Sequence, residues 1–346
     1  MAQSFVTGSV DTEKGPVPLV SSCLAWSDRW GDIKARWSVG RMDHQVAPGL
    51  YALGAPDAQS SVLVTANYKM SFNRLREALP GRNAWILVLD TEGINVWCAA
   101  GKGTFGTEEL VRCLEDCGLD RVVSHRKLIL PQLSAPGIEA HQVKHLTGFR
   151  VVYGPVRATD LPFFIDAGFK ATPEMRRKTF TTWERAVLIP VELVSALKWG
   201  AVLSFVFFLA AGFLISGNFL SSALNHGLFA TLALMGAVIA GAVITPLLLP
   251  WLPGRAFALK GAVTGFMAAG ILAFMWSGSH GFGHSESIAW FFLVPALSAY
   301  LAMNFTGAST YTSLSGVRKE MRVAVPLEIS AGIIGICLWI RACFIA

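Results

Sequence analysis

Five apolar segments fill the second half of this chain of 346 residues, at 198–216, 227–252, 256–276, 288–304 and 323–345. Each approaches the roughly 20 apolar residues that a helix needs to cross a bilayer core. A segment of this kind leaves its backbone no solvent partner, so helix is the conformation that satisfies it. The connections between segments alternate in charge. Residues 217–226 and 277–287 carry no Lys or Arg, whereas Arg255 and Lys260 follow the second segment and Arg318, Lys319 and Arg322 precede the fifth. Positive loops stay on the side of synthesis, which predicts a multi-pass protein of the cytoplasmic (inner) membrane, with the first half in the cytoplasm and the C-terminus outside. Arg341 is the exception and can snorkel outward.

Charge divides the chain in two. Residues 198–346 hold seven Lys and Arg and three Asp and Glu, leaving 22 of the 29 basic and 20 of the 23 acidic residues to the first 197. The net charge of +6 therefore says little about nucleic acid, because no basic run interleaved with aromatics occurs in the first half, and no nucleic-acid partner is expected. The first twenty residues lack the basic start and apolar core of a secretory signal. Six cysteines without paired CxxC spacing argue against a zinc or iron–sulfur site built by this chain alone.

Four features of the membrane half have two readings each. Gly261 and Gly265 form a GxxxG, which suits close packing inside the bundle or a homo-oligomer through the membrane domain. Glu328 lies in the last segment and calls for an interfacial or intrabundle partner, or a proton relay. His280 and His284 fall in a Gly/Ser-rich loop, as a metal pair or as solvated residues, and Cys337 and Cys343 are packing residues or soft ligands. Ahead of the spans, residues 169–197 run from basic to amphipathic; Arg176, Arg177, Lys178 and Arg185 beside Trp183 predict a linker on the anionic membrane surface.

The first half alternates between two periodicities. Strands are expected at 61–66, 84–90, 121–123, 127–130 and 149–154; helices are expected at 71–79 with Ser71 as cap, from Thr107 as cap, and near 139–146. Alternation of this kind predicts a Rossmann-like α/β domain with a parallel sheet and helices on both faces. Its ligand would sit beyond the carboxyl ends of the strands. The expected organisation is an extension of unclear role at 1–49, the α/β domain at 50–168, the linker at 169–197 and a five-helix transmembrane domain at 198–346.

Within the first half, "GINVWCAAGKGTFG" (93–106) encloses one cysteine in a short helical run bounded by glycines. Asn95 is a good N-cap, which makes Val96, Trp97 and Cys98 the first helical positions. Their N–H groups lack intrahelical acceptors, and the positive end of the helix favours a thiolate at Cys98. Ala99, Ala100 and Gly101 are expected to keep the surface beside the sulfur flat. Three roles suit this pattern: a core cysteine in a tight turn, a redox thiol, or a thiolate facing a flat metal macrocycle.

"NVWCAAGK" (95–102) resembles the signature of the mercury-methylating corrinoid proteins, the HgcA family, whose cytoplasmic domain is similar to that of the large subunit of the corrinoid iron–sulfur protein. The likeness extends through "TANYKMSFNRLREAL", "LPQLSAPGIEAHQVKHLTGF" and "VVYGPVRATDLP" into the membrane half, over roughly residues 50–346. The resemblance implies a corrinoid-binding domain in which the Cys98 thiolate is the lower axial ligand of a corrinoid (cobalamin-type) cobalt. Asn95, Val96, Trp97, Ala99, Ala100, Gly101 and Lys102 would form a cap helix beneath the ring. Thr65, Gln132, Ser134, Ala135, Gly154, Pro155 and Val156 would lie in loops at the corrin edge.

The activity so implied is methyl transfer from the corrinoid to Hg(II), with Cys98 as the catalytic residue. The implied partners are the ferredoxin-like iron–sulfur protein HgcB, a folate-type methyl donor acting through another methyltransferase, an Hg(II) thiolate as substrate, and membrane lipid. No iron–sulfur cluster is expected in this chain. Two other functions remain open to such a sequence: a membrane-tethered corrinoid methyl carrier of one-carbon metabolism, and a non-enzymatic thiol or redox sensor.

Overall fold

Continuous apolar runs at 62–66 and 84–89 have no polar face to turn to water, so they fold only where both sides of a sheet are covered. The structure, a computed structural model, describes residues 5–215, 217–276, 284–310 and 313–345; His280 lies outside them. The chain forms two units, Met1–Lys178 and Thr179–Ala346.

The first unit is built on a seven-stranded sheet. Its strands are β1 (Val6–Thr12), β2 (Gly15–Val20), β3 (Gly49–Leu53), β4 (Val62–Ala66), β5 (Ala84–Leu89), β6 (Lys127–Leu130) and β7 (Arg150–Tyr153), in the order β1-β2-β3-β5-β4-β6-β7. The helices are α1 (Trp26–Arg36), α2 (Lys69–Glu77), α3 (Val96–Lys102), α4 (Thr107–Cys117), α5 (Leu119–Val122), α6 (Ala140–Thr147) and α7 (Leu161–Asp166). Strand β4 is parallel to both β5 and β6, and β6 is parallel to β7. Strand alternation splits the core in two. Val62, Val64, Ala66, Leu87 and Leu89 pack with α3, α4 and α6, while Leu63, Ile86 and Val88 pack with Phe72, Leu75 and Phe164 of α2 and α7. The α/β layering expected from the sequence is present.

Three local expectations are corrected. The segment 121–123 is not a strand: Gly118 turns the chain through a left-handed conformation (φ 55°), and α5 follows, burying Leu119 and Val122 three positions apart. Helix α2 starts at Lys69 with Tyr68 at its cap, because the His44 carbonyl accepts the Lys69 N–H; Ser71 lies inside the first turn. Thr107 is the first residue of α4, with Gly106 as the cap, and its Oγ1 accepts the Glu139 N–H (2.8 Å) instead.

The segment expected as an N-terminal extension, 1–49, contributes strands to the sheet. In the structure β1 and β2 form an antiparallel hairpin, and β2 joins β3 in parallel, making the sheet mixed. Helix α1 is held by charge. Asp28, fully buried, contacts Arg76 (2.6 Å) and Lys69 (2.9 Å), and Asp32 accepts from Asn73 (3.1 Å) and meets His44 (3.0 Å). Arg76, also fully buried, donates to the Ser21 and Cys23 carbonyls. Burial opposes the Asp28 charge, yet the hydrogen bonds from Lys69 and Arg76 outweigh it and hold the carboxyl below its ordinary value of 3.8.

In the second unit, five helices are long and apolar enough to cross a membrane: Thr182–Leu214, Phe219–Leu248, Phe257–Trp276, Glu286–Gly307 and Ser315–Phe344. A Cβ on Gly261 would lie 2.6 Å from that of Ala302, and one on Gly265 would lie 2.6 Å from the Pro295 Cα. The GxxxG is thus used inside the chain, between the third and fourth of these helices. Thr245 and Thr264 share a hydrogen bond (2.6 Å), and Ser298 donates to the Gly261 carbonyl (2.8 Å) across the same crossing. Among the described residues, neither carboxyl oxygen of Glu328 has the hydrogen-bond partner expected from the sequence. Cys337 is exposed and Cys343 buried.

Two outcomes follow from this packing. Asp28→Asn leaves Arg76 buried without its counter-charge and is expected to cost about 3–5 kcal/mol in chemical unfolding of the first unit's signal. Because the Asp28 carboxyl is lowered in the fold, its contribution is complete above pH 3.8 and is lost as the pH falls through the folded-state value; the variant should show a flatter acid-side stability profile. Gly261→Leu forces the third and fourth helices apart and is expected to lower the thermal midpoint of the detergent-solubilised protein, at a cost of about 1–3 kcal/mol.

Candidate functional site

The four parallel strands end on the same edge of the sheet, and four loops meet there: Asn67 after β4, Thr91–Asn95 after β5, Pro131–Gly137 after β6 and Gly154–Val156 after β7. Asn67 organises the second of these. Its Oδ1 accepts the Thr91 N–H (3.1 Å), the Thr91 hydroxyl (2.8 Å) and the Gly93 N–H (2.9 Å), and its Nδ2 donates to Asp90 (3.0 Å). Thr91 and Asn67 are both buried, so these bonds are made away from water. Glu109 of α4 accepts the Asp90 N–H (2.8 Å), closing the turn from the other side. At Gly93 the backbone is left-handed (φ 70°), the conformation that favours glycine, and a Cβ there would displace the exposed Gln45 side chain.

Helix α3 leaves this turn. Asn95 caps it as expected, its Oδ1 accepting the Cys98 N–H (3.0 Å), and Gly103 ends it in a left-handed conformation (φ 89°). Seven residues make under two turns, too few to hold a helix alone. Burial of one face supplies the rest: Val96, Ala99 and Ala100 enter the core beside Phe105. A Cβ on Gly137 would sit 3.1 Å from the Ala100 Cα and overlap the Phe105 carbonyl, so the 3-10 turn Gln132–Gly137 packs directly on α3.

The outward face carries Trp97, half-buried, with Cys98, Gly101 and Lys102 exposed. Around Gly101 a Cβ would meet nothing within 4 Å. The flat surface beside the sulfur is therefore made by Gly101, while Ala99 and Ala100 are buried, Ala100 against Gly137. This differs from the sequence expectation, which gave Ala99 and Ala100 to the outer surface.

The remaining sequence-derived residues divide between rim and interior. Thr65 lies within β4, paired with Val88 and buried, so Asn67 and not Thr65 is the loop residue there. Ser134 is buried and its hydroxyl donates to the Pro131 carbonyl (2.8 Å). Gln132 and Ala135 are half-buried on the same turn, and the Gln132 Oε1 accepts from Arg176 (3.0 Å). Gly154 and Pro155 are buried, the Gly154 N–H donating to the Leu130 carbonyl (2.8 Å), and Val156 is half-buried. Sequence reasoning missed Asn67, Gln45 and Asp90. The polar residues directly after β4 and β5 were the available signal.

The thiols are unequal. Cys98 and Cys23 are exposed; Cys113 is buried against the Val88 carbonyl (3.5 Å). Its hydrogen bond to Cys117 and its burial push the Cys113 thiol well above the ordinary value, and accepting that bond lowers Cys117.

An α/β unit that presents one bare thiol at the carboxyl edge of its parallel strands, on a chain with five membrane-length helices, is the class of protein defined here. Residues 38–165 match the family model described as CdhD, CO dehydrogenase/acetyl-CoA synthase delta subunit. The acetyl-CoA decarbonylase/synthase complex subunit gamma of Methanopyrus kandleri is 32% identical over 128 residues, covering 36% of this chain and 27% of the relative. That of Methanocaldococcus jannaschii is 34% identical over 116 residues, 33% of this chain and 23% of the relative. The corrinoid/iron-sulfur protein large subunit of Moorella thermoacetica is 26% identical over 125 residues, 36% of this chain and 28% of the relative. The chain thus spans about a quarter of the length of these relatives.

Asn67→Ala removes the acceptor of two buried backbone N–H groups and is expected to cost about 1–3 kcal/mol. The loss should appear as faster hydrogen exchange at 91–102, with the amides of β6 and β7 unchanged.

Proposed function

We propose that this chain is a membrane-bound corrinoid-dependent methyltransferase that transfers a methyl group to Hg(II) and forms methylmercury. The observation that carries the reading is the Cys98 thiol, free and exposed on the first turn of α3 beside the open Gly101, in a domain similar to proteins named as corrinoid/iron-sulfur and acetyl-CoA synthase subunits. The sequence resemblance of "NVWCAAGK" to the HgcA family supplies mercury as the acceptor.

The residues suit a flat ring. No Cβ stands at Gly101, Trp97 is half-buried, Lys102 is a flexible exposed chain, and the sulfur is the one strong soft donor on that face. When bound, the corrinoid supplies a cobalt-held methyl group that can pass to a soft electrophile. Cys98 would hold the cobalt through its thiolate, a strong and soft donor. Asn95 and the Asn67-ordered turn keep that sulfur at a fixed place. Gln132, Ala135 and Val156 would line the ring edge with side chains. Thr65, Val96, Ala99, Ala100, Ser134, Gly154 and Pro155 support it from within, or through backbone.

The same reading places the α/β unit in the cytoplasm at the inner membrane. An iron–sulfur partner of the HgcB kind would return electrons, a folate-type donor would provide the methyl group through another methyltransferase, and Hg(II) would arrive as a thiolate complex. A second reading is favoured by the relatives themselves, which are named as subunits of acetyl-CoA decarbonylase/synthase complexes: a membrane-tethered corrinoid methyl carrier of one-carbon metabolism.

Cys98→Ala, at an exposed position, should leave the fold intact, abolish methylmercury formation and remove the cobalt–thiolate features from the visible spectrum of anoxically purified protein. Normal mercury methylation by this variant overturns the role given to the sulfur. Loss of one-carbon growth with mercury methylation intact, on deletion of the gene, decides for the carrier. Protein that takes up no corrin when one is offered defeats both readings and leaves a thiol sensor.

A further inference from the structure

Helix α1 is folded inside out. Its inward face carries Asp28 and Asp32, tied to Arg76, Lys69, Asn73 and His44, whereas Trp26, Trp30, Ile33 and Trp37 point to solvent at 76%, 47%, 42% and 48% exposure. The spacing of these four, on successive turns, makes one continuous stripe. Val39 and Met42, in the turn that follows, are also exposed, and Trp26 and Trp30 stack with ring centroids 6.5 Å apart. An ordinary surface helix has the opposite arrangement.

We propose that this stripe docks on an anionic lipid surface. Its chemistry is that of an interfacial helix, in which indole rings and aliphatic side chains enter the headgroup boundary while long cationic side chains reach the phosphates. Both acids of α1 are turned inward, Asp28 against Arg76 and Lys69 and Asp32 against Asn73 and His44, so the outward face keeps its cations. Arg29 and Lys34 are exposed beside the stripe, with Lys34 Nζ over the Trp30 ring at 6.0 Å. Two acids bear on the patch: exposed Asp43 follows Met42, and half-buried Glu77 lies 4.0 Å from Arg29.

The occupant follows from two further facts. The chain continues into five membrane-length helices, so a bilayer is held near this unit at high effective concentration, and even weak interfacial affinity is sufficient for contact. The stretch that matches the family model begins at residue 38, so the Trp26–Trp37 stripe, like the membrane half, lies outside it. The inference is independent of what Cys98 binds.

Hydroxyl-radical footprinting of the full chain in lipid nanodiscs tests this proposal, with His141, whose side chain is 82% exposed, as internal reference. Oxidation of Trp26, Trp30 and Trp37 is expected to be about threefold slower, or more, in discs containing phosphatidylglycerol than in phosphatidylcholine discs. The double variant Arg29→Glu, Lys34→Glu should lose that protection with its circular dichroism unchanged, since both side chains are exposed. Equal oxidation in the two kinds of disc overturns the proposal. Protection that appears only with two copies per disc, or only when a partner protein is added, overturns it too and assigns the stripe to a protein interface.

Discussion

One side-chain carboxamide, that of Asn67, sets where the sulfur stands. It accepts two backbone N–H groups and a hydroxyl from the turn after β5 while donating to Asp90, all beside the ends of two paired strands. A seven-residue helix has no independent stability, so its position must be imposed from outside, at both ends and along one face. Asn67 fixes its entry, Asn95 caps it, and the Gly137 turn clamps the inner face through Ala100. The outer face is then free of structural duty, and only there can a thiol remain uncommitted.

Glycine and alanine serve opposite purposes within that short run. Gly137 is required by close approach, Gly93 and Gly103 by left-handed backbone, and Gly101 stands in open space. Ala100 is small because the Gly137 backbone lies against it. In the membrane unit the same logic recurs at Gly261 and Gly265, where the absence of a Cβ lets two helices approach closely enough for Ser298 to reach a backbone carbonyl. Lys260, buried nearby, turns its ammonium to the carbonyls of Leu249, the cap of the preceding helical segment, and of Leu252 in the turn beyond it.

Much of the fold was legible because its strongest signals are local. The β4 and β5 runs, the apolar periodicity of α4 and α6, and the five long apolar segments each state their own conformation. The misreadings share a cause. Arg121–Val123 has the β-branched composition of a strand, but Gly118 reverses the chain first and burial of Leu119 and Val122 favours a turn of helix. Ser71 and Thr107 are good caps by residue type, yet carbonyls and N–H groups from distant segments claim those positions. Of the candidate site, Asn95 and the placement of Cys98 on the first turn could be read from spacing alone, whereas Asn67 and Gln45 act across distances in sequence that no periodicity reports.

The sequence by itself determined that a charged α/β half is joined to an apolar helical half, and that a capped helix carries one cysteine between glycines, because hydrophobic periodicity and capping chemistry are properties of neighbouring residues. Only the tertiary structure decided which face of that helix looks outward, which small residues are bare and which are packed, and that α1 turns its acids inward and its tryptophans out. Those choices depend on what lies on the other side of each contact, namely Gly137 behind Ala100 and Arg76 beneath Asp28, and a linear chain does not state which of its distant parts will meet.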